Sequence, residues 1–196
     1  MIIIRNLSLS FGQQIIFDSI DLTIQHDQKI AYMPQDVVFS SQLSVVDTVM
    51  EVFKYYLDLQ QEQHTIEQRL QNNDADAVAI ADRYTALLEE LALFDYQRAQ
   101  QEAHEILQGL GFSTEQKIQS VDTLSVGWKM RVVLAILLLQ KADFYLFDEP
   151  TNHLDIKTNE WFLSFLTKMK SGFLLVTHDK NFLNDACSTI LELERG

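Results

Sequence analysis

Two adjacent carboxylates close a short apolar run: Phe144-Tyr145-Leu146-Phe147 leads into Asp148-Glu149-Pro150-Thr151-Asn152-His153-Leu154-Asp155. An uninterrupted apolar run of this length reads as a buried parallel strand, and open α/β sheets bind their ligands at the C-terminal ends of such strands. There an aspartate can hold magnesium through its water shell, and the neighbouring glutamate can orient, or take a proton from, an attacking water. A lone Asp-Glu pair more often caps a helix; the whole ten-residue string from Leu146 points to chemistry. A second apolar run, Phe173-Leu174-Leu175-Val176, ends in Thr177-His178-Asp179 and brings a histidine to a strand end. Ser125, in Leu124-Ser125-Val126-Gly127-Trp128, precedes an apolar helical run, where free N–H groups and the helix dipole favour an anion. Gln35 follows the strand-like Lys29 to Met33, which Pro34 closes.

The elements that must position these groups show in the periodicity. Ile2 to Phe11 begins apolar and then alternates, Ile20 to Ile24 alternates, and Gly12 marks a turn between them. From about Val45 to Leu110 there is no proline and apolar residues fall at helical spacing. Val49, Val52, Phe53, Tyr56 and Leu57 form one stripe, and Leu87, Leu88, Leu91 and Phe94 form another. The spacing predicts a hairpin of two long helices breaking near Asn72-Asn73-Asp74-Ala75-Asp76, where Asn and Asp favour a turn. Between the two apolar strands, Trp161, Phe162, Phe165, Leu166 and Met169 recur on one helix face, which makes a βαβ unit.

A chain of 196 residues, 47% hydrophobic, can bury one substantial core with a smaller appendage. No apolar stretch approaches a membrane span, and the first residues have no leader-like apolar region, so neither a membrane nor a signal peptide is expected. The single cysteine, Cys187, excludes an internal disulfide framework and fits a cytoplasmic setting. The net charge of −13 is concentrated between Asp47 and Glu105, where thirteen acidic residues face four basic ones. Such a surface repels a phosphate backbone, so direct DNA binding is not expected.

These motifs together resemble those of ATP-binding cassette (ABC) ATPases. The string from Leu146 to Asp155 resembles the Walker B and D-loop in the form found in the ABC-F subfamily, and Leu124 to Trp128 resembles the ABC signature with Val126 where the family usually has glycine. The resemblance implies ATP and Mg2+ as cofactors. It implies catalytic roles for Glu149 and His178, metal contacts for Asp148 and Gln35, and nucleotide or cross-interface roles for Phe11, Gln35, Ser125, Gly127 and Asp155. Gln35 and Ser125 lie 90 positions apart, more than a transporter cassette uses, and the surplus resembles the arm inserted in the first cassette of ABC-F proteins. The implied partners are a second cassette, in cis or as another copy, and the ribosome.

One motif of that family is missing. None of the six glycines is followed by lysine, so the phosphate-binding G-x-x-x-x-G-K-[ST] loop does not occur. Its place lies near residues 25–30, where only Gln25-His26-Asp27-Gln28 separates two expected strands, too few to cross between parallel neighbours. The expected architecture is an α/β, ABC-type P-loop NTPase core with an antiparallel β subdomain and a long helical-hairpin insertion. Residues 1–44 form the N-terminal β part, 45–110 the helical part with the arm, and 111–196 the part with signature, Walker B, D-loop and switch histidine. The expected function is ATP binding and hydrolysis coupled to cassette closure on the ribosome. The alternatives are a degenerate, non-hydrolysing cassette serving as an interaction module, and the ATPase subunit of a transporter.

Overall fold

The computed structural model describes residues 2–11, 14–24, 29–35, 39–71, 77–190. The chain opens with an antiparallel ribbon of β1 (Ile2–Phe11) and β2 (Gln14–Ile24), running in register from Ile2 opposite Ile24 to Phe11 opposite Gln14, with irregularities between. Strand β2 is longer than the Ile20 to Ile24 stretch that alternates cleanly. Its first half lacks strict alternation, and pairing with β1 extends it.

A second, parallel sheet holds β3 (Ile30–Met33), β4 (Phe144–Asp148) and β5 (Gly172–Val176), in that order, with β4 central. Strands β2 and β3 therefore belong to different sheets, and residues 25–28 need not cross between parallel neighbours. The register sets Ala31 beside Tyr145 and Phe173, and Met33 beside Phe147 and Leu175. Because alternate residues of a strand face opposite sides, these residues share one face. That face is the core: Phe147 meets Phe162 edge-on at 5.6 Å, and Phe162 stacks on Phe182 at 5.8 Å.

The helical stretch begins with α1 (Val45–Met50), whose first turn is capped by the Ser44 hydroxyl accepting the Asp47 N–H. A 3-10 turn leads into α2 (Lys54–Gln71), followed by α3 (Ala77–Ala92) and α4 (Tyr96–Gly109). The expected break at 72–76 lies outside the described residues. A further break at Leu93 to Asp95 separates α3 from α4, and the Asp95 carboxylate caps α4 by accepting the Arg98 N–H. Helices α2 and α3 bury a small cluster of their own, Leu59, Ile66, Ile80 and Leu87.

The short α5 (Thr114–Lys117) starts in a reciprocal Ser113–Gln116 capping box. Helix α6 (Val126–Leu139) is buried along most of its length, as its uninterrupted apolar run Val132 to Leu139 requires. Helix α7 (Ile156–Lys168) is the crossover between β4 and β5, and α8 (Lys180–Ala186) is capped by Asp179, whose carboxylate accepts the N–H groups of Asn181 and Phe182. Among the described residues no helix is long and apolar enough to cross a membrane.

Candidate nucleotide site

Strand β4 ends at Asp148, and the next residue, Glu149, turns the chain with φ 50°. A residue with a Cβ rarely adopts this left-handed conformation, and departures of this kind gather at functional sites. Here it is held by the Glu149 N–H, which donates to the Val176 carbonyl at 2.8 Å and carries the β4–β5 ladder one residue beyond the strand. The turn folds the Glu149 side chain inward, leaving the residue only 6% exposed. Its carboxylate accepts the His178 N–H at 3.4 Å and lies 3.3 Å from His178 Nε2. The imidazole itself is 98% exposed. Beside this pair the Thr151 and Thr177 hydroxyls are hydrogen-bonded at 3.1 Å, joining the loops that leave β4 and β5.

Gln35 is exposed two residues beyond β3, and Met33 of β3 pairs with Phe147, the residue before Asp148. Parallel register therefore delivers Gln35, Asp148, Glu149 and His178 to the same end of one sheet. Among the described residues no group of three His, Cys, Asp or Glu could hold a metal alone. Asp148 and Gln35 fit a magnesium ion only if phosphate oxygens and water complete its shell.

A second constellation lies at the start of α6. Ser125 occupies the N-cap position, yet its hydroxyl makes no capping hydrogen bond. In the first turn Gly127 faces His153, and an added Cβ would meet that ring at ordinary van der Waals distance, 3.6 Å from Nδ1. Val126, which stands where the family usually has glycine, is the first residue of α6 and is largely exposed.

Arg131, one turn further along and buried, ties this end of α6 to the loop after Glu149. Its Nε donates to the His153 carbonyl at 3.0 Å, and one terminal nitrogen donates to the Leu110 carbonyl at 3.0 Å. The other lies 3.3 Å from Asp155, and the guanidinium stands 4.5 Å from the centre of the Trp128 ring. Asp155 also caps α7 by accepting the Thr158 N–H. That bond first, and Arg131 after it, hold its carboxyl below the ordinary range.

The sheet end thus gathers Gln35, Asp148, Glu149 and His178, and the α6 end gathers Ser125, Gly127 and Asp155. Phe11 closes β1 in the separate ribbon, and its side chain lies outside the described part. Sequence reasoning passed over Arg131 and the Thr151–Thr177 pair. The signal for Arg131 was present, since it is the cation directly before the apolar run Val132 to Leu139. The threonine pair has no sequence signature, because it depends on two loops 26 positions apart meeting across the sheet.

A parallel sheet with its helical crossover, flanked by the strand-end and helix-start residues just described, has the α/β fold of a P-loop NTPase core. The ABC transporter family profile matches residues 2–152, and the chain belongs to that family. Its relatives include the probable ATP-binding protein YheS of Haemophilus influenzae, 32% identical over 229 positions covering 99% of this chain and 34% of that protein. ABC transporter F family member 5 of Arabidopsis thaliana is 29% identical over 173 positions, covering 87% of the chain and 25% of that protein. Elongation factor 3 of Phytophthora infestans is 46% identical over 94 positions, 47% of the chain and 9% of that protein. The chain therefore spans about a third or less of the length of these relatives. Among solved structures, the ATP-binding cassette MJ0796, a post-hydrolysis dimer bound to ADP and phosphate, superposes with TM-score 0.55 at 16% identity, covering 95% of this chain and 91% of that one. The similarity establishes a shared fold.

Proposed function

We propose that the chain is an ABC-F cassette that supplies the water-positioning and γ-phosphate-sensing half of an ATP site, coupled through closure onto a second cassette to work on the ribosome. The meeting of buried Glu149 with His178 at the C-terminal end of β4 and β5, 29 positions apart in sequence, carries this reading. Bound Mg-ATP would supply a terminal phosphate for hydrolysis. Glu149 would orient the attacking water and take its proton, and the exposed His178 ring would face the phosphate. Asp148 and Gln35 would share the magnesium, and Phe11 would stack on adenine. The unengaged Ser125 hydroxyl and the N–H groups at the start of α6 would address the nucleotide held by the opposite cassette. Asp155, tied to α6 through Arg131, would transmit closure between cassettes. The three parts of the chain, residues 1–44, 45–110 and 111–196, are the units of this arrangement. The F-family relatives and elongation factor 3 support the translational setting.

The residues present fit the metal and terminal-phosphate side of a nucleotide, whereas the sequence holds no G-x-x-x-x-G-K-[ST] loop to grip the β- and γ-phosphates. The chain by itself is therefore expected to give no micromolar affinity in a calorimetric titration with Mg-ATP; tight binding would refute this division of labour. For the ribosomal role, the native protein is followed in sucrose gradients with and without a non-hydrolysable ATP analogue. An ATP-dependent shift into the ribosomal fractions is expected, and identical profiles in both conditions reject the reading. The missing loop and the acidic surface favour one second reading, a non-catalytic interaction module, which predicts the same partner in both conditions.

A further inference from the structure

Two turns, each carrying one of the paired side chains, meet beyond the sheet. The Asn152 N–H donates to the Glu149 carbonyl at 3.3 Å, so residues 149–152 form a turn with Pro150 in its second position, where the fixed φ of proline fits. The Thr177 hydroxyl accepts the Asp179 N–H at 3.3 Å and closes a side-chain turn around His178. Thr151 is the third residue of the first turn, Thr177 is the first of the second, and their hydroxyls stand 3.1 Å apart. Among the described residues, this bond and the Glu149–His178 contact are the side-chain links between the two turns.

An imidazole that is 98% exposed has no packing to choose among its staggered rotamers. It remains 3.3 Å from Glu149 only while its backbone is held at the right distance and direction. The other side of the contact is already fixed, because Glu149 is buried and its N–H is fastened to the Val176 carbonyl. Thr151 is 8% exposed, so its hydroxyl depends on Thr177 for a partner. A hydroxyl has one proton and two acceptor sites, so Thr177 can accept the Asp179 N–H and still bond Thr151. Branching at Cβ limits χ1 of both threonines and stiffens the link.

From this we infer that Thr151 and Thr177 are positioning residues, whose paired hydroxyls lock the turn at Glu149 to the turn around His178 and hold an otherwise free imidazole on the buried carboxylate. This role deepens the proposed function, in which His178 faces a terminal phosphate, and its use in catalysis rests on that reading. The direction of the ring does not. The test reads that direction in the chain alone, without nucleotide, second cassette or ribosome, so the two fail separately.

The chain is labelled with 13C and 15N, and the three-bond couplings from the His178 backbone nitrogen and carbonyl carbon to its Cγ are measured, which report χ1. The wild type should show one rotamer. Glu149→Gly removes the carboxylate and tolerates the turn; it supplies the unheld limit, with populations approaching about a third in each staggered well. Thr177→Val and Thr151→Val should each move His178 toward that limit, whereas Thr177→Ser, which keeps the hydroxyl, should stay at the wild-type value. Thr85→Val, which removes a hydroxyl bonded within α3, should change nothing. Hydrogen exchange at the Glu149 N–H should stay slow in all the threonine variants. A hydroxyl pair that serves stability alone would lower the melting temperature and leave the ring in one rotamer, or would free the Glu149 N–H together with the ring, and either result overturns the inference. So does a wild-type ring that already averages, or failure of both valine variants to fold; where only one folds, its couplings decide.

Discussion

The sheet core and the α2–α3 hairpin are stabilised in opposite ways. In the core, side chains from α6, α7, α8, β4 and β5 interlock in one large cluster, and Phe147, Phe162 and Phe182 meet ring to ring. Among the described residues the hairpin buries Leu59, Ile66, Ile80 and Leu87 and adds polar links on its surface. Arg83 bridges Glu62 at 2.7 Å and Glu90 at 3.0 Å, while the Tyr55 hydroxyl donates to Glu90. An aromatic patch of Phe53, Tyr56, Phe94 and Tyr96 joins the hairpin base to the rest. The candidate chemistry sits at the rim of this dense core, where Glu149 is buried and His178 is exposed. The hairpin carries a small core of its own, distinct from the cluster that backs the site.

This contrast can be broken most forcefully at Phe162, fully buried between Phe147 and Phe182. Phe162→Ala should cost about 3–5 kcal/mol of global stability, read as a lowered urea midpoint, and should raise hydrogen exchange in β4 and α7 together. Arg131→Met keeps the volume but strands the Leu110 and His153 carbonyls. A loss of about 2–4 kcal/mol is expected, and increased exchange at 150–155 alongside the first turn of α6 would show that the two are fastened together.

Leu87→Ala sharpens the comparison from the other side. It should remove about 2–3 kcal/mol from the hairpin, with exchange rising in 54–92 and remaining unchanged in β4 and β5. Spread of that loss into the sheet would end the claim of separate cores.

The smallest effect is expected from acid. Arg83 holds Glu62 below the ordinary 4.5, the Tyr55 hydroxyl and Arg83 do so for Glu90, and the Ser40 hydroxyl holds Asp122 below 3.8. Carboxyls lowered by folding stabilise fully above their unfolded values and lose that contribution as pH falls through the folded ones. The folded state should therefore weaken below about pH 4, with the hairpin signals changing first. These groups are exposed, so added salt should blunt the change.

Much of this architecture is legible in the sequence, for local reasons. The runs Phe144 to Phe147 and Phe173 to Val176 are uninterrupted and apolar, and they are β4 and β5. The apolar runs bring Glu149 and His178 to strand ends, one residue past β4 and two past β5. The split between α3 and α4 is less visible, because Leu93 and Phe94 continue the apolar pattern while Asp95 starts a new helix through its cap. The placement of β2 and β3 in different sheets could not be read at all, since strand patterning reports which residues alternate and says nothing of which strands pair. The left-handed turn at Glu149 was equally hidden, because φ there is imposed by the Val176 carbonyl across the sheet.

That turn separates architecture from acidity at a single position. A glycine at 149 would keep the same torsion at lower conformational cost, so losing the carboxylate need not loosen the scaffold. A variant at this position would look sound in an assay of folding while lacking the carboxylate that accepts the His178 N–H, so intactness of shape is a poor guide to whether this corner is intact.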